Sequence, residues 1–284
     1  MKARQSAESI LLALLELLCL CYCVPLKEVV TFTSNSNNAL LAVNFSYGYF
    51  NYSRDSTYII LKDPGDTVLV RELRNVDCTK CSSAAKLDTL IKKEFTIVAG
   101  YYGGLAKLSG SGLINFSPIG KAVSAGTYVG VTISKDEASY FGDLTTVVSD
   151  LFTAGYRSKE IKKIVKEHEM AVQEAFDLLI LHIDNMQSKI DLVKKEYKTR
   201  LENWIDLSKT YREKWLLIDR YKQKSKEFDE AVLYYKNLKK TVQKIKDGDK
   251  VLYNSINKLN DESFRKQIMG FAADIIYLNS STKN

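Results

Sequence analysis

From Ser158 onward the chain keeps one rhythm. Ile161, Val165, His168, Val172, Ala175, Leu179, His182, Met186, Ile190, Val193, Tyr197, Leu201 and Trp204 follow one another in steps of three and four, with Lys, Glu, Asp and Gln between them. Such steps keep one face of a helix apolar and predict a long amphipathic helix with a coiled-coil-like seam. The steps continue through Leu207 or Ser208, Tyr211, Trp215 and Ile218. Unbroken from 159 to 246, this helix would be about 130 Å long at about 1.5 Å per residue. A hairpin breaking near 205–210 is therefore predicted, and Thr210-Tyr211-Arg212-Glu213 has the spacing of a capping box for the returning helix. Asp247-Gly248-Asp249 reads as the end of that helix and the cap of a third. The third carries Leu252, Ile256, Leu259, Phe264, Ile268, Phe271 and Ile275 on its inner side. Residues 157–284 are thus expected to form an antiparallel bundle of long helices.

Upstream the period changes. "EVVTFTS" from Glu28 and "NALLAVNFSYGYF" from Asn38 are rich in branched and aromatic residues and predict strands. "STYIILKDPGDTVLVREL" reads as a hairpin whose turn is Asp63-Pro64-Gly65-Asp66, and "TYVGVTIS" at 127–134 as a further strand. Ser82 or Ser83 caps a helix with Leu87, Leu90, Ile91, Phe95 and Val98 on one face. Ten of the fourteen glycines lie between Gly100 and Gly155, and Lys107 and Lys121 alone interrupt the uncharged run 95–134. That run reads as buried, Gly-bent strands and turns joining two domains. The competing reading is a membrane-active tongue, since its pieces are too short for spanning helices but long enough for tilted strands. The expected fold class is α+β: a small β-rich N-terminal domain with one helix (24–156), a Gly-rich connector within it, and the helical bundle.

Residues 1–23 resemble a secretory leader. Lys2 and Arg4 precede an apolar run from Ile10 to Leu20, and Cys21 and Cys23 suit the positions before a cut. The alternative is a buried amphipathic helix, which the charge of Glu16 inside the run would suit. Asn44-Phe45-Ser46, Asn51-Tyr52-Ser53 and Asn279-Ser280-Ser281 are glycosylation sequons, which agree with export. Asn115-Phe116-Ser117 is a fourth, weakened by Pro118.

A leader would take Cys19, Cys21 and Cys23 with it and leave Cys78 and Cys81. Outside the cell such a pair is normally oxidised, so a local disulfide is expected. The pair also precedes a helix, as in thioredoxin-like redox motifs, but no βαβ pattern surrounds it. Pairing with other chains is the third reading. A zinc site lacks ligands, because His168 and His182 are the only histidines. They stand about 21 Å apart along a straight helix and cannot share a metal; both read as structural seam residues. Gly110-Ser111-Gly112 matches neither a nucleophile elbow nor a nucleotide loop. No catalytic constellation, metal site or cofactor site emerges. The aromatics Trp204, Tyr211, Trp215, Tyr221, Tyr234 and Tyr235 read as core or interface.

Charge adds one fact. Residues 1–23 and 24–150 are each neutral, so the whole excess of +7 lies in the C-terminal part. A basic bundle can meet an acidic protein or glycan. Lysine and glutamate are interleaved rather than blocked, so no nucleic-acid footprint is expected. The seam could close within one chain or between two.

A leader, few cysteines, a Lys-rich helical C-terminal half and no enzyme motif together resemble the layout of the thirty-odd-kilodalton secreted salivary proteins of mosquitoes and related flies. That resemblance implies a host- or tissue-interacting secreted factor. The expected function is a non-enzymatic interaction protein that binds through its basic bundle. The alternatives are a pore-former using segment 95–134 and a thiol oxidoreductase.

Overall fold

The computed structural model of the chain describes residues 26–44, 58–62, 68–72, 79–110, 123–128, 131–153 and 158–281. Among them lie six helices and two small antiparallel sheets. The protein is predominantly helical, and a β-rich N-terminal domain is not what these residues form.

The first correction comes at the start. Lys27–Leu41 is a helix, α1, where strands were expected. Its β-branched composition argues for a strand, but its buried positions Val29, Phe32, Ser36, Ala39 and Leu40 recur at helical spacing. The hydroxyls of Thr33 and Ser36, which are both buried, donate to the carbonyls of Val29 and Phe32 one turn back, at 2.7 and 2.8 Å. This lets polar side chains enter the core without an unpaired group. Tertiary burial here overrides local preference.

The expected hairpin follows. Strands β1 (Tyr58–Lys62) and β2 (Val68–Glu72) pair antiparallel from Tyr58↔Glu72 to Lys62↔Val68. Helix α2 (Thr79–Leu108) has 30 residues and outruns the predicted helix by absorbing part of the Gly-rich segment. From Phe95 to Ala106 nearly every apolar side chain is buried, which erases any one-sided period. At Gly104 an added Cβ would stand 2.7 Å from the Leu151 Cβ, so the glycine permits close helix contact. The segment is therefore not a set of strands up to Leu108. Strands do follow, but as a pair, β3 (Gly126–Tyr128) with β4 (Val131–Ile133). Helix α3 (Lys135–Thr153) opens on a capping box: Glu137 N–H donates to Ser134 Oγ at 3.1 Å, and Ser134 N–H to Glu137 Oε2 at 2.6 Å.

Helices α4 (Ser158–Leu207) and α5 (Tyr211–Ser255) form the long hairpin. Its break falls where predicted, with Glu213 N–H donating to the Thr210 side chain at 3.1 Å. Each arm is roughly 70 Å long at 1.5 Å per residue. Ion pairs bind the arms, among them Asp177 with Lys246, Asp184 with Lys239 and Lys194 with Asp229. Seven and then ten residues forward on α4 match seven and then ten backward on α5. The sign reverses at the third rung, so sliding by a heptad would bring Lys194 to Lys236. The register is thereby specified.

Asp247-Gly248-Asp249 does not end the second helix. It lies inside α5 with Gly248 and Asp249 buried, because their partners come from other helices. The break falls later, and α6 (Glu262–Ser281) starts after Asp261, whose Oδ1 accepts from Ser263 N–H at 2.7 Å. Arg265 of α6 bridges to Glu28 of α1 at 2.6 Å, and that hydrogen bond holds the Glu28 carboxyl below its ordinary range. One hydrophobic core runs through all six helices, from Leu26 to Ile275.

Candidate functional site

Two regions concentrate chemistry among the described residues. The first is a buried polar line where α2 crosses the hairpin. Glu94 Oε2 lies 2.7 Å from His182 Nδ1 of α4, with side chains 0% and 1% exposed. The other Glu94 oxygen has no hydrogen-bond partner among the described residues. Burial pushes the Glu94 carboxyl up, and the hydrogen bond from His182 pulls the other way.

Two turns further along α2, the Tyr102 hydroxyl donates to Asp249 Oδ1 at 2.8 Å. Gln173 Nε2 of α4 donates to Asp249 Oδ2 at 2.9 Å. Burial pushes the Asp249 carboxyl up to about 6, with Tyr102 and Gln173 pulling down and the Glu169 charge adding to the rise. Burial, aided by the Asp249 charge, raises the phenols of Tyr101 and Tyr102 well above their ordinary value. Phe32, Phe176 and Tyr101 pack around the Tyr102 ring. Glu94, His182, Tyr101, Tyr102, Gln173 and Asp249 are all buried, while Glu169 is half-buried. A nearby cavity lined by Phe95, Ile183, Met186 and Leu238 holds about 10 Å³, too little for a substrate. The polar line can tie helices together; as arranged it cannot meet a reactant.

The second region is the outer face of α5. Its inner face is Leu217, Lys224, Phe228, Ala231, Tyr235, Leu238, Val242, Ile245, Asp249 and Leu252, all buried and stepping by three, four or seven. At about 100° per residue, Tyr211, Trp215, Ile218, Lys222, Lys226, Leu233, Lys236 and Lys240 fall on the opposite side. All of them are exposed. A shallow groove of about 490 Å³ between Tyr221 and Leu233 belongs to this side; Lys222, Lys226, Asp229 and Glu230 line it.

The seam had been expected to run through Tyr211, Trp215 and Ile218. Thr210 resets the helical phase, so these three turn outward while Leu217 fills the seam. Among the other expected core aromatics, Tyr234 and Tyr235 are buried, with rings 5.4 Å apart, and Trp204 and Tyr221 are half-buried.

The sequence-predicted sites are scattered. Cys78 lies outside the described residues; Cys81 is in the first turn of α2, and its side chain is likewise outside them. Asn51 is also outside. Asn44 is exposed beyond α1, and its backbone N–H donates to the Tyr234 hydroxyl at 2.6 Å. Asn279 is half-buried in the last turn of α6. His168 is half-buried on α4 and His182 buried, two heptads apart. Among the described residues no group of His, Cys, Asp and Glu is placed to hold a metal, and no helix is long and apolar enough to cross a membrane.

No protein-family model matches the chain, and neither the curated proteins nor the solved structures yield a significant match to it.

Proposed function

We propose that the chain is a secreted, non-enzymatic binding protein that engages an acidic partner through the outer face of its helical hairpin. The observation that carries this reading is the stripe Lys222, Lys226, Lys236 and Lys240, exposed on α5 opposite the seam. Four ammonium groups along one side of the cross-linked hairpin, of which Lys226 stands 3.8 Å from the Glu230 carboxylate, leave an excess of positive charge on that side. Such a side suits a surface with repeated negative charge, protein or glycan, rather than a small ligand. The placement of the positive excess in the C-terminal part agrees with this.

Heparin resin tests the reading. The wild-type chain is expected to be retained at low salt and released as ionic strength screens the lysines. Reversing all four charges (K222E, K226E, K236E and K240E) should abolish retention while the helical circular-dichroism signal stays unchanged. A wild-type chain that flows through at low salt defeats the proposal.

A further inference from the structure

We propose that the acidic partner is an anionic lipid bilayer and that the hairpin docks on it tip-first. Leu207, Tyr211, Trp215 and Ile218 would enter the interface while Lys209, Arg212 and Lys214 meet the headgroups. This inference rests on the acidic-partner reading and names the partner's class.

The tip is more apolar than its own packing requires. Leu201 and Leu217 are fully buried and close the end of the seam. Yet Leu207 is 74%, Tyr211 87% and Trp215 57% exposed, with Ile218 beside them. Tyr211, Trp215 and Ile218 recur at i, i+4 and i+7, so they form one stripe on the first turns of α5, with Leu207 at the end of α4. Keeping these side chains in water is unfavourable by roughly 25 cal/mol for each Å² of apolar surface.

The residue types select the occupant. Trp and Tyr favour the boundary between water and hydrocarbon, where an apolar ring and a polar edge are both accommodated. Leu and Ile supply depth. Lys209, Arg212 and Lys214 are exposed on and beside the turn and outnumber the carboxylates Asp206 and Glu213 there. Long basic side chains can lay their stems along the apolar patch and reach phosphates with their charged ends. Size argues in the same direction. The patch is four side chains wide, whereas a stable protein interface buries about 1,200–2,000 Å² between complementary surfaces. A bilayer accepts so small a patch because lipids rearrange around it.

Co-sedimentation of the full chain with vesicles decides the matter. At about 0.15 M salt, binding is expected to vesicles containing about one-third phosphatidylserine and not to pure phosphatidylcholine. In a W204F chain the remaining Trp215 emission should shift to the blue and be quenched by brominated lipid. Substituting the exposed tip side chains (L207S, Y211S and W215S together) should lower partitioning at least about tenfold. The control L192S, exposed on the shaft of α4, should bind like wild type. Absence of wild-type binding to the anionic vesicles overturns the inference, as does a tip variant that binds undiminished. Self-association that is lost in the tip variant, with no vesicle binding, would assign the tip to a second copy instead and also overturns it. Retention on heparin without vesicle binding removes this inference and leaves the acidic-partner reading standing; failure of both removes both.

Discussion

His182 Nδ1 and Glu94 Oε2 stand 2.7 Å apart with both side chains buried, and this contact fastens α2 to α4. Neither group has access to water, so each depends on the other. Replacing His182 by Ala would leave both carboxyl oxygens of Glu94 without a partner. Breaking a buried pair from one side costs about 3–5 kcal/mol. His182→Ala should therefore lower the urea midpoint steeply, whereas Glu94→Gln, which keeps an acceptor for the imidazole, should cost less than half as much. Equal stability of His182→Ala and wild type would show that the pair does not hold the helices.

Asp249 leads to a pH prediction. Its folded-state pKa is raised to about 6 from 3.8, so the fold favours the protonated form. Its contribution to stability is therefore least favourable above about pH 6, improves as pH falls through that value, and levels off below the unfolded value. A shift of this size corresponds to roughly 3 kcal/mol. Asp249→Asn removes the charge and keeps an oxygen for the Tyr102 hydroxyl. Its new amide needs an acceptor, and Gln173 Oε1 is buried without a hydrogen-bond partner among the described residues. A turn of the Gln173 amide supplies it. The variant should be at least as stable as wild type at neutral pH, with the difference closing near pH 4. Unfolding curves across that range would expose a constant gap, which would contradict the assignment.

Gly248 tests how α1 seats on the hairpin. A Cβ there would meet Phe32 Cε2 and would stand 2.7 Å from Phe32 Cζ, and Phe32 is fully buried. Gly248→Ala should destabilise by about 1–3 kcal/mol through overpacking, although Ala is the better helix former. Adding Phe32→Leu should return part of the loss. At Gly142 and Gly270 a Cβ meets nothing within 4 Å, so Ala there should raise the melting temperature slightly. Uniform effects at all three glycines would argue against the close approach.

These residues also show what was readable in the chain. The hairpin break could be found because its signals are local: the rhythm up to Trp204 and the cap at Thr210–Glu213. Strands β1 and β2 were equally legible from the branched residues on either side of Pro64-Gly65. The Ser134–Glu137 capping box is likewise a local signal, with the hydroxyl and carboxylate three residues apart. Helix α1 and the second half of α2 were hidden for a physical reason. In α1 the helix-weakening Thr and Ser hydroxyls are satisfied by the preceding turn. In α2 burial on all sides leaves no polar face to reveal a period. Asp247-Gly248-Asp249 resembles a helix end until Phe32, Tyr102 and Gln173 are brought to it, and these are distant in sequence. The exposed tip was visible only as a continuation of the seam, because the phase change at Thr210 could not be distinguished from a straight run.

Lys246 and Asp177 provide a last test, on the register of the hairpin. The lysine is 8% exposed and the aspartate 60%, so the cost of desolvation falls mostly on the ammonium. Removing the acceptor by Asp177→Ala leaves that charge poorly compensated, at a cost of about 1–3 kcal/mol. Removing the donor by Lys246→Met replaces it with an apolar side chain suited to a buried site, which should be neutral or stabilising. The asymmetry separates this rung from Asp184–Lys239, where both side chains are about half exposed. Either substitution at that rung should cost under about 1 kcal/mol. A double-mutant cycle at each rung, read by urea unfolding, would measure the contrast. Matching coupling energies at the two rungs would mean that burial of Lys246 contributes nothing to the alignment of α4 with α5.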